Sequence, residues 1–131
     1  MGYEDLMRGD WVSVTLNGKA SIYGRVGAIF ERHIEVLFDD GTWTPCQSVD
    51  PIPLTLEILI KNGFKKDRGD EECLYSKAGW MVPNEYNRKA EPISWETEII
   101  GKNSSFDGVI TYVHQLQHAF KLCKIRKQII L

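Results

Sequence analysis

The 131-residue sequence contains few of the features that mark secreted, membrane or metal-binding proteins. Its three scattered cysteines, Cys46, Cys73 and Cys123, include no CxxC pair, which is typical of reduced thiols and excludes a zinc ribbon. Its longest apolar runs are a few residues, far short of the roughly 20 that a transmembrane helix requires. The acidic start, with Glu4 and Asp5, matches no signal peptide. We therefore expect a soluble cytoplasmic protein that makes no membrane contact.

The sequence also lacks recognisable catalytic motifs. There is no GxSxG elbow and no phosphate-binding glycine loop. His114 and His118 have the four-residue spacing at which two imidazoles can hold one metal ion, but Gln115 stands where a metalloprotease needs its glutamate. We expect these histidines to lie on a solvated helix face. The sequence predicts no enzyme, no cofactor and no metal site.

Basic residues are scarce in the first part of the chain and enriched in the second. Residues 1–60 contain four basic and nine acidic residues, whereas residues 61–131 contain twelve basic and nine acidic ones. The last twenty residues contain four cations and no acid: Lys121, Lys124, Arg126 and Lys127. Cations collect at the C-terminus of a helix because its macrodipole favours them there. The same enrichment is typical of nucleic-acid binding, which stays an alternative.

The first 53 residues read as short, bent strands. Trp11–Leu16 alternates with Val12, Val14 and Leu16 on one face, and Asn17-Gly18 is a hairpin signal. Two further strands follow, and the predicted inward residues of the three are Val12, Val14, Leu16, Ile22, Gly24, Val26, Ala28, Phe30, Ile34, Val36 and Phe38. Gly24 and Gly27 predict a bulge or bend, and a fourth strand spans about residues 42–46. The pattern predicts an SH3-like small β-barrel over residues 1–53.

Residues 54–131 are predicted to form an α+β half that packs on the barrel. A short helix begins after Thr55 and ends at Asn62-Gly63, with Phe64 folding back onto Leu59. A charged loop at 65–72 precedes three or four antiparallel strands, and residues 83–92 form a hairpin loop. A C-terminal helix over about 111–123 buries the face that contains Val113, Leu116, Ala119, Phe120 and Cys123. The whole chain is therefore of the α+β class.

Aromatic residues of the barrel are the first candidate for a binding surface. If Val12 and Val14 point inward, then Trp11, Tyr23 and Trp43 point outward. Exposed aromatic rings on a small barrel bind peptides or stack on bases. The alternative is that these rings pack in the seam between the two halves, because large exposed apolar patches are rare.

Two stretches of the chain are familiar: residues 51–64, with the pattern PIPLTxExLxKNGF, and residues 112–117, YVHQLQ. With the barrel-like start, they resemble a family of small uncharacterised proteins encoded by gut anaerobic bacteria, often in prophages or mobile elements. The resemblance implies a bacterial or phage cytosolic origin and no particular activity.

The sequence leaves two functions open. The first is a non-enzymatic accessory module that binds an unidentified protein partner through Trp11, Tyr23 and Trp43, or through the polar helix face with His114 and His118. The second is nucleic-acid binding by the basic C-terminal residues Lys121, Lys124, Arg126 and Lys127, with barrel aromatics stacking on bases. The sequence does not indicate an oligomeric state.

Overall fold

The computed structural model describes residues 5–15, 21–69 and 72–131. Within these residues the chain forms nine strands and two helices. It divides into two compact units, Met1–Ile52 and Pro53–Leu131, each with its own antiparallel sheet. The predicted α+β class is therefore confirmed. In the described ranges, no helix is long and apolar enough to cross a membrane. The predicted Asn17-Gly18 turn and Leu16 lie outside these ranges.

The first unit is a four-stranded antiparallel sheet in chain order. Its strands are β1 (Trp11–Val14), β2 (Ile22–Ile29), β3 (Ile34–Leu37) and β4 (Trp43–Cys46). Because side chains alternate along each strand, one face of the sheet forms a buried cluster, against which Phe38 packs. The cluster includes Val12, Val14, Val26, Ile34 and Val36. The inward face predicted for β1 and β3 is therefore confirmed for the described residues.

A bulge in β2 changes the alternation along that strand. The pairing of β2 with β3 shifts register between Val26 and Ala28, which confirms the bend predicted around Gly27. Gly27 is required there, because the ring of Trp43 occupies the space that a Cβ atom would fill. The shift turns Phe30 outward, where it is 48% exposed, so the prediction that Phe30 points inward was wrong. Ile22 lies opposite the buried Val14 and therefore on the predicted face, but as the first residue of β2 it is also 48% exposed.

The chain after β4 returns to the first strand. Asp50 and Ser13 form an antiparallel bridge, in which each backbone N–H donates to the other residue's carbonyl oxygen at 2.9 Å. Val49 and Ile52, which are close to Asp50 in the sequence, are buried, with exposures of 3% and 1%. The segment after β4 therefore pairs with the edge of β1 that does not face β2.

The second unit contains two helices and a five-stranded antiparallel sheet, whose strands also follow one another in chain order. Its elements are α1 (Leu56–Lys61), β5 (Lys65–Lys66), β6 (Leu74–Ser76), β7 (Gly79–Tyr86), β8 (Pro92–Ile100), β9 (Ser105–Ile110) and α2 (Val113–Leu122). Two predictions were wrong: β5 lies in the predicted charged loop, and β7 extends through Tyr86 into the predicted hairpin loop. Ladder pairing with β6 and β8 supplies the backbone hydrogen bonds that local propensity did not indicate.

Helix α1 begins and ends as its sequence predicts. The Thr55 hydroxyl accepts a hydrogen bond from the Ile58 N–H at 3.2 Å, so Thr55 is the N-cap. Gly63 has a φ of +93°, and the Phe64 N–H donates to the Leu59 carbonyl at 3.0 Å. Leu59 and Phe64 are both buried. These features form a Schellman motif, in which a left-handed residue ends the helix.

Helix α2 buries the apolar face that the sequence predicts. Val113, Leu116, Ala119 and Phe120 are each at most 2% exposed, and the helix lies against β9. Gln115 caps the first turn, since its side-chain oxygen accepts from the N–H groups of Thr111 and Tyr112 at 2.8 and 3.0 Å. The residue that stands where a metalloprotease has glutamate therefore has a structural role.

The residues after α2 run without regular structure and are held by the end of α1. The side-chain nitrogen of Asn62 donates to the Ile130 carbonyl at 2.7 Å, and its oxygen accepts from the Ile130 N–H at 2.8 Å. Lys61 Nζ donates to the Leu131 backbone oxygen at 2.6 Å. Ile129 is 2% exposed. Residues 129–131 form no strand within the described chain, and the Asn62 side chain anchors the segment instead.

Candidate lysine-lined groove

The predicted aromatic surface of the first unit is only partly exposed. Tyr23 and Trp43 are 48% and 50% exposed, but Trp11 is only 6% exposed. The register places Arg25 opposite Trp11, and the Arg25 guanidinium carbon lies 4.6 Å from the centre of the Trp11 ring. A cation stacked on the ring covers it from solvent. The prediction that Trp11 offers an exposed binding ring was therefore wrong.

The two helix histidines lie side by side, but not on a solvated face. His114, in the first turn of α2, is 1% exposed, and the ring of Tyr112 lies parallel to its ring with the two centres 5.9 Å apart. His118 is half-buried, and its ring meets the His114 ring edge-on at 5.5 Å. The prediction of a solvated face was wrong for His114. No group of three or more His, Cys, Asp or Glu in the described ranges could hold a metal ion.

The basic C-terminal residues separate into two groups. All four of the predicted cations, Lys121, Lys124, Arg126 and Lys127, are exposed. Lys124 and Lys127 line an open groove in the second unit, whereas Lys121 and Arg126 lie outside it. The structure therefore brings two of the four predicted cations to one site.

Five lysines from separate parts of the chain line this groove, which has a volume of about 940 Å³. Three of them join Lys124 and Lys127 from the sheet: Lys65 from β5, Lys77 from the β6–β7 turn and Lys102 from the β8–β9 turn. Tyr75 and Ile100 add an aromatic ring and an aliphatic side chain, and both are exposed. Among the described residues, no acidic side chain lines the groove. We call this set of residues the lysine groove.

Hydrogen bonds hold the turns of the groove together. The Ile100 N–H donates to the Ala78 carbonyl at 2.8 Å, which joins the end of β8 to the β6–β7 turn. The Ser104 hydroxyl donates to the Leu122 carbonyl at 3.3 Å, which joins the β8–β9 turn to the end of α2. The lysines of these turns therefore stand on a framework of paired backbone rather than on free loops.

The two C-terminal lysines of the groove are positioned by the ends of the two helices. Lys124 directly follows the C-cap of α2 and has a φ of +58°. Lys127 Nζ donates to the Asn62 carbonyl at the end of α1. Both helix ends present backbone carbonyls whose negative partial charge favours a nearby cation. The two helix C-termini thus help to gather positive charge at one place.

The charge of the groove differs from that of the chain. The whole protein has a formal net charge of −2, yet five lysines line this one groove of the second unit. Like charges at close range raise the local potential and attract anions. The arrangement therefore suits an extended anionic ligand.

The cysteines contribute no chemistry to this site. The three cysteines lie outside disulfides in the described residues, and Cys46 and Cys123 are buried. Burial raises the pKa of the Cys46 thiol, so the reactive thiolate is disfavoured. Cys123 borders the groove, where its thiol lies 3.5 Å from the Ile99 carbonyl and donates to it. These are the contacts of cysteines that pack as small apolar side chains.

Sequence reasoning missed Lys65, Lys77, Lys102 and Tyr75. These residues are spread over about forty positions, and only the sheet register brings them to one end of the unit. The one available signal was the excess of basic residues after position 60. In comparisons of the chain with family models, with curated proteins and with solved structures, nothing was found to match it.

Proposed function

We propose that this protein is a non-enzymatic binding protein whose ligand is a nucleic acid held in the lysine groove. The observation that carries this proposal is the convergence of five lysines on one groove in which the described residues include no acid. Lysine ammonium groups bind phosphates as point charges, and a row of them follows a polyanionic backbone. This is the second of the two functions that the sequence left open, and the lysine groove supports it.

Size and composition favour a nucleic acid over a single small anion. The groove of about 940 Å³ is at the upper end of the range for small-molecule pockets, about 300–1,000 Å³. It is also open and bordered by an exposed tyrosine, Tyr75. A positively charged groove with an aromatic side chain is the combination that nucleic-acid-binding grooves use.

Charge reversal in the groove tests the proposal. The double variant Lys77→Glu, Lys102→Glu should lower the affinity for a labelled oligonucleotide by at least about tenfold, because two phosphate contacts become repulsions. The control is Arg88→Glu, Lys89→Glu, which makes the same charge change in the exposed turn between β7 and β8, outside the groove. Fluorescence anisotropy at about 20 mM and about 150 mM salt measures both, since phosphate contacts weaken steeply with salt.

Two results would contradict the proposal. One is the absence of binding by the wild type even at low salt. The other is an equal loss of affinity in the two double variants, which would indicate a general effect of net charge. Competition with a nucleoside triphosphate is a further control, because equal affinity for the mononucleotide would indicate a small-anion site.

A protein partner on the first unit is the second candidate, supported by the exposure of Tyr23 and Trp43. We propose that this unit is an SH3-like barrel, since the Asp50–Ser13 bridge brings the segment after β4 beside β1. The variant Tyr23→Ala, Trp43→Ala should lose partners that the wild type retains in a pull-down. Phe30→Ala, which removes another ring with 48% exposure from the same unit, is the matched control.

A further inference from the structure

We infer that the lysine groove is built for single-stranded nucleic acid, whose bases stack on a pair of rings, Tyr75 and Trp80, at the edge of the groove. This inference rests on the proposed function and makes it more specific. It names the strandedness of the ligand and two residues that contact bases. The aromatic residues involved were not among those that the sequence singled out.

The two rings are neighbours across the β6–β7 hairpin. Tyr75 lies directly opposite Trp80 in the ladder, so both side chains are on the same face of the sheet. Tyr75 is 48% exposed and Trp80 is 36% exposed. Tyr75 also lines the lysine groove, so the pair extends from the groove onto the open face of the sheet.

Charges are ordered along the row of residues that contains the two rings. Lys65 of β5 lies opposite Tyr75, and Glu98 of β8 lies opposite Trp80. Asp107 of β9 lies opposite Glu98 and continues the row. A cation therefore lies on one side of the ring pair and two carboxylates lie on the other.

This order of charges gives a bound strand one favourable orientation. Its phosphates are attracted to the lysines and repelled by Glu98 and Asp107. The bases are uncharged, so they can lie over Tyr75 and Trp80 on the side away from the lysines. A duplex cannot bind in this way, because its bases are stacked and paired inside the helix. Base stacking on aromatic side chains is typical of proteins that bind single strands.

An abasic oligonucleotide separates stacking from phosphate binding. The wild type should bind an oligo(dT) of about 15 nucleotides at least about tenfold more tightly than an abasic strand of equal length and charge. The basis is that stacking of one base changes affinity by roughly 5- to 150-fold. A duplex of the same sequence should bind no better than the abasic strand.

Variants of the ring pair complete the test. Tyr75→Ala, Trp80→Ala should lower the affinity for oligo(dT) to that for the abasic strand, without changing abasic binding or its salt dependence. Tyr75→Phe, Trp80→Phe keeps an aromatic ring at both positions and should bind oligo(dT) as the wild type does. Tyr86→Ala, which removes an exposed ring at the other end of β7, is the control.

The outcomes distinguish this inference from the proposed function. Equal binding of oligo(dT) and the abasic strand, or no effect of the alanine pair, overturns the inference and leaves nucleic-acid binding by the lysines intact. Equal or tighter binding of the duplex also overturns it. Failure of every oligonucleotide to bind overturns the proposed function itself. A loss that Tyr75→Phe, Trp80→Phe reproduces would indicate a structural effect and also overturn the inference.

Discussion

The two helices of the second unit end in the same way, but with different residues. After α1, the Phe64 N–H donates to the Leu59 carbonyl at 3.0 Å, and after α2 the Ile125 N–H donates to the Phe120 carbonyl at 2.8 Å. In each case the residue just before the donor has a left-handed backbone. It is Gly63 after α1, with a φ of +93°, and Lys124 after α2, with a φ of +58°. Both are Schellman motifs. One uses the residue that fits this conformation best, and the other does not.

The two helix ends differ in backbone strain, which is present at Lys124 and not at Gly63. A side chain in the left-handed conformation costs about 1–2 kcal/mol, because its Cβ crowds the following carbonyl. Such a strain is retained where the surrounding structure requires it, and it is frequent at binding sites. Both residues line the lysine groove, but only Lys124 brings a positive charge to it. The strained backbone is therefore consistent with a lysine that is kept for its charge.

The largest effects should come from the residues that accept the two cap hydrogen bonds. Leu59 and Phe120 are 0% and 2% exposed, so each packs in the core behind its helix end. Leu59→Ala should lower the free energy of unfolding by about 2–5 kcal/mol and Phe120→Ala by about 3–5 kcal/mol, since each leaves a cavity. Urea unfolding measures both.

Neighbouring exposed residues provide controls for this first prediction. Ile60 in α1 is 49% exposed and Leu122 in α2 is 58% exposed. Ile60→Ala and Leu122→Ala should change stability by less than about 0.5 kcal/mol, as surface substitutions usually do. If they cost as much as the buried pair, then the two helix ends do not depend on the packing described here.

The next effect separates the two C-caps. Asn62 caps α1 and is 2% exposed, with hydrogen bonds from its amide to Ile58 and Ile130. Asn62→Ala should cost about 1–3 kcal/mol, because it removes the partly buried side-chain hydrogen bonds to the N–H and carbonyl groups of Ile130 and to the Ile58 carbonyl. Protease digestion should then cleave the segment after α2 faster. The C-cap of α2 is Cys123, whose thiol is a weak donor, so Cys123→Ala should have a smaller effect. The reverse order would contradict this account.

The end of α2 near residue 123 is confirmed, but its left-handed residue could not be predicted from the sequence, whereas that of α1 could. Thr55, Asn62-Gly63 and Phe64 are local signals, each of which has one structural meaning at its position. Lys124 gives no such signal, because lysine rarely takes a left-handed backbone. The alternation of Val12, Val14, Ile34 and Val36 was also local and was interpreted correctly. At Gly27 the bulge shifts the register, and the face of Phe30, which follows it, was predicted wrongly.

Most residues of the candidate site could not be predicted from the sequence. Lys65, Lys77 and Lys102 meet Lys124 and Lys127 only through the pairing of β5 to β9, and no local pattern encodes that meeting. Burial was equally hard to predict where neighbours decide it. Arg25 covers Trp11, and Tyr112 lies over His114, although periodicity placed both of these rings toward solvent. Periodicity assigns a residue to a face, but it does not say what covers that face.

Substitution of the left-handed residue tests the comparison at α1. Gly63→Ala should cost about 1–2 kcal/mol, because alanine at a φ of +93° is strained. A Cβ atom there would also lie 2.7 Å from Lys127 Nζ, which would have to move. Lys124→Ala is the matched control, since that position already carries a side chain in the left-handed conformation. Equal costs at the two positions, measured by urea unfolding, would remove the distinction between the helix ends.

A small gain in stability is expected at Lys124, opposite in sign to the effect on binding. Lys124→Gly should raise the free energy of unfolding by about 0.5–1 kcal/mol, because relief of left-handed strain outweighs the greater entropy of unfolded glycine. The same substitution removes one of five groove cations. It should weaken oligonucleotide binding and reduce the magnitude of the salt slope by about 0.7, the contribution of one phosphate contact on a single strand.

Lys124→Ala separates the two consequences of that substitution. It removes the same charge without relieving the backbone strain, so it should weaken binding as much as Lys124→Gly and give no gain in stability. Urea unfolding and the salt dependence of anisotropy, measured on both variants, supply the four values needed. If glycine improves stability while binding is unchanged in both variants, then the charge of Lys124 does not account for its strained backbone. A loss of binding in both variants with a gain in stability only for glycine would link the strain at the end of α2 to the groove.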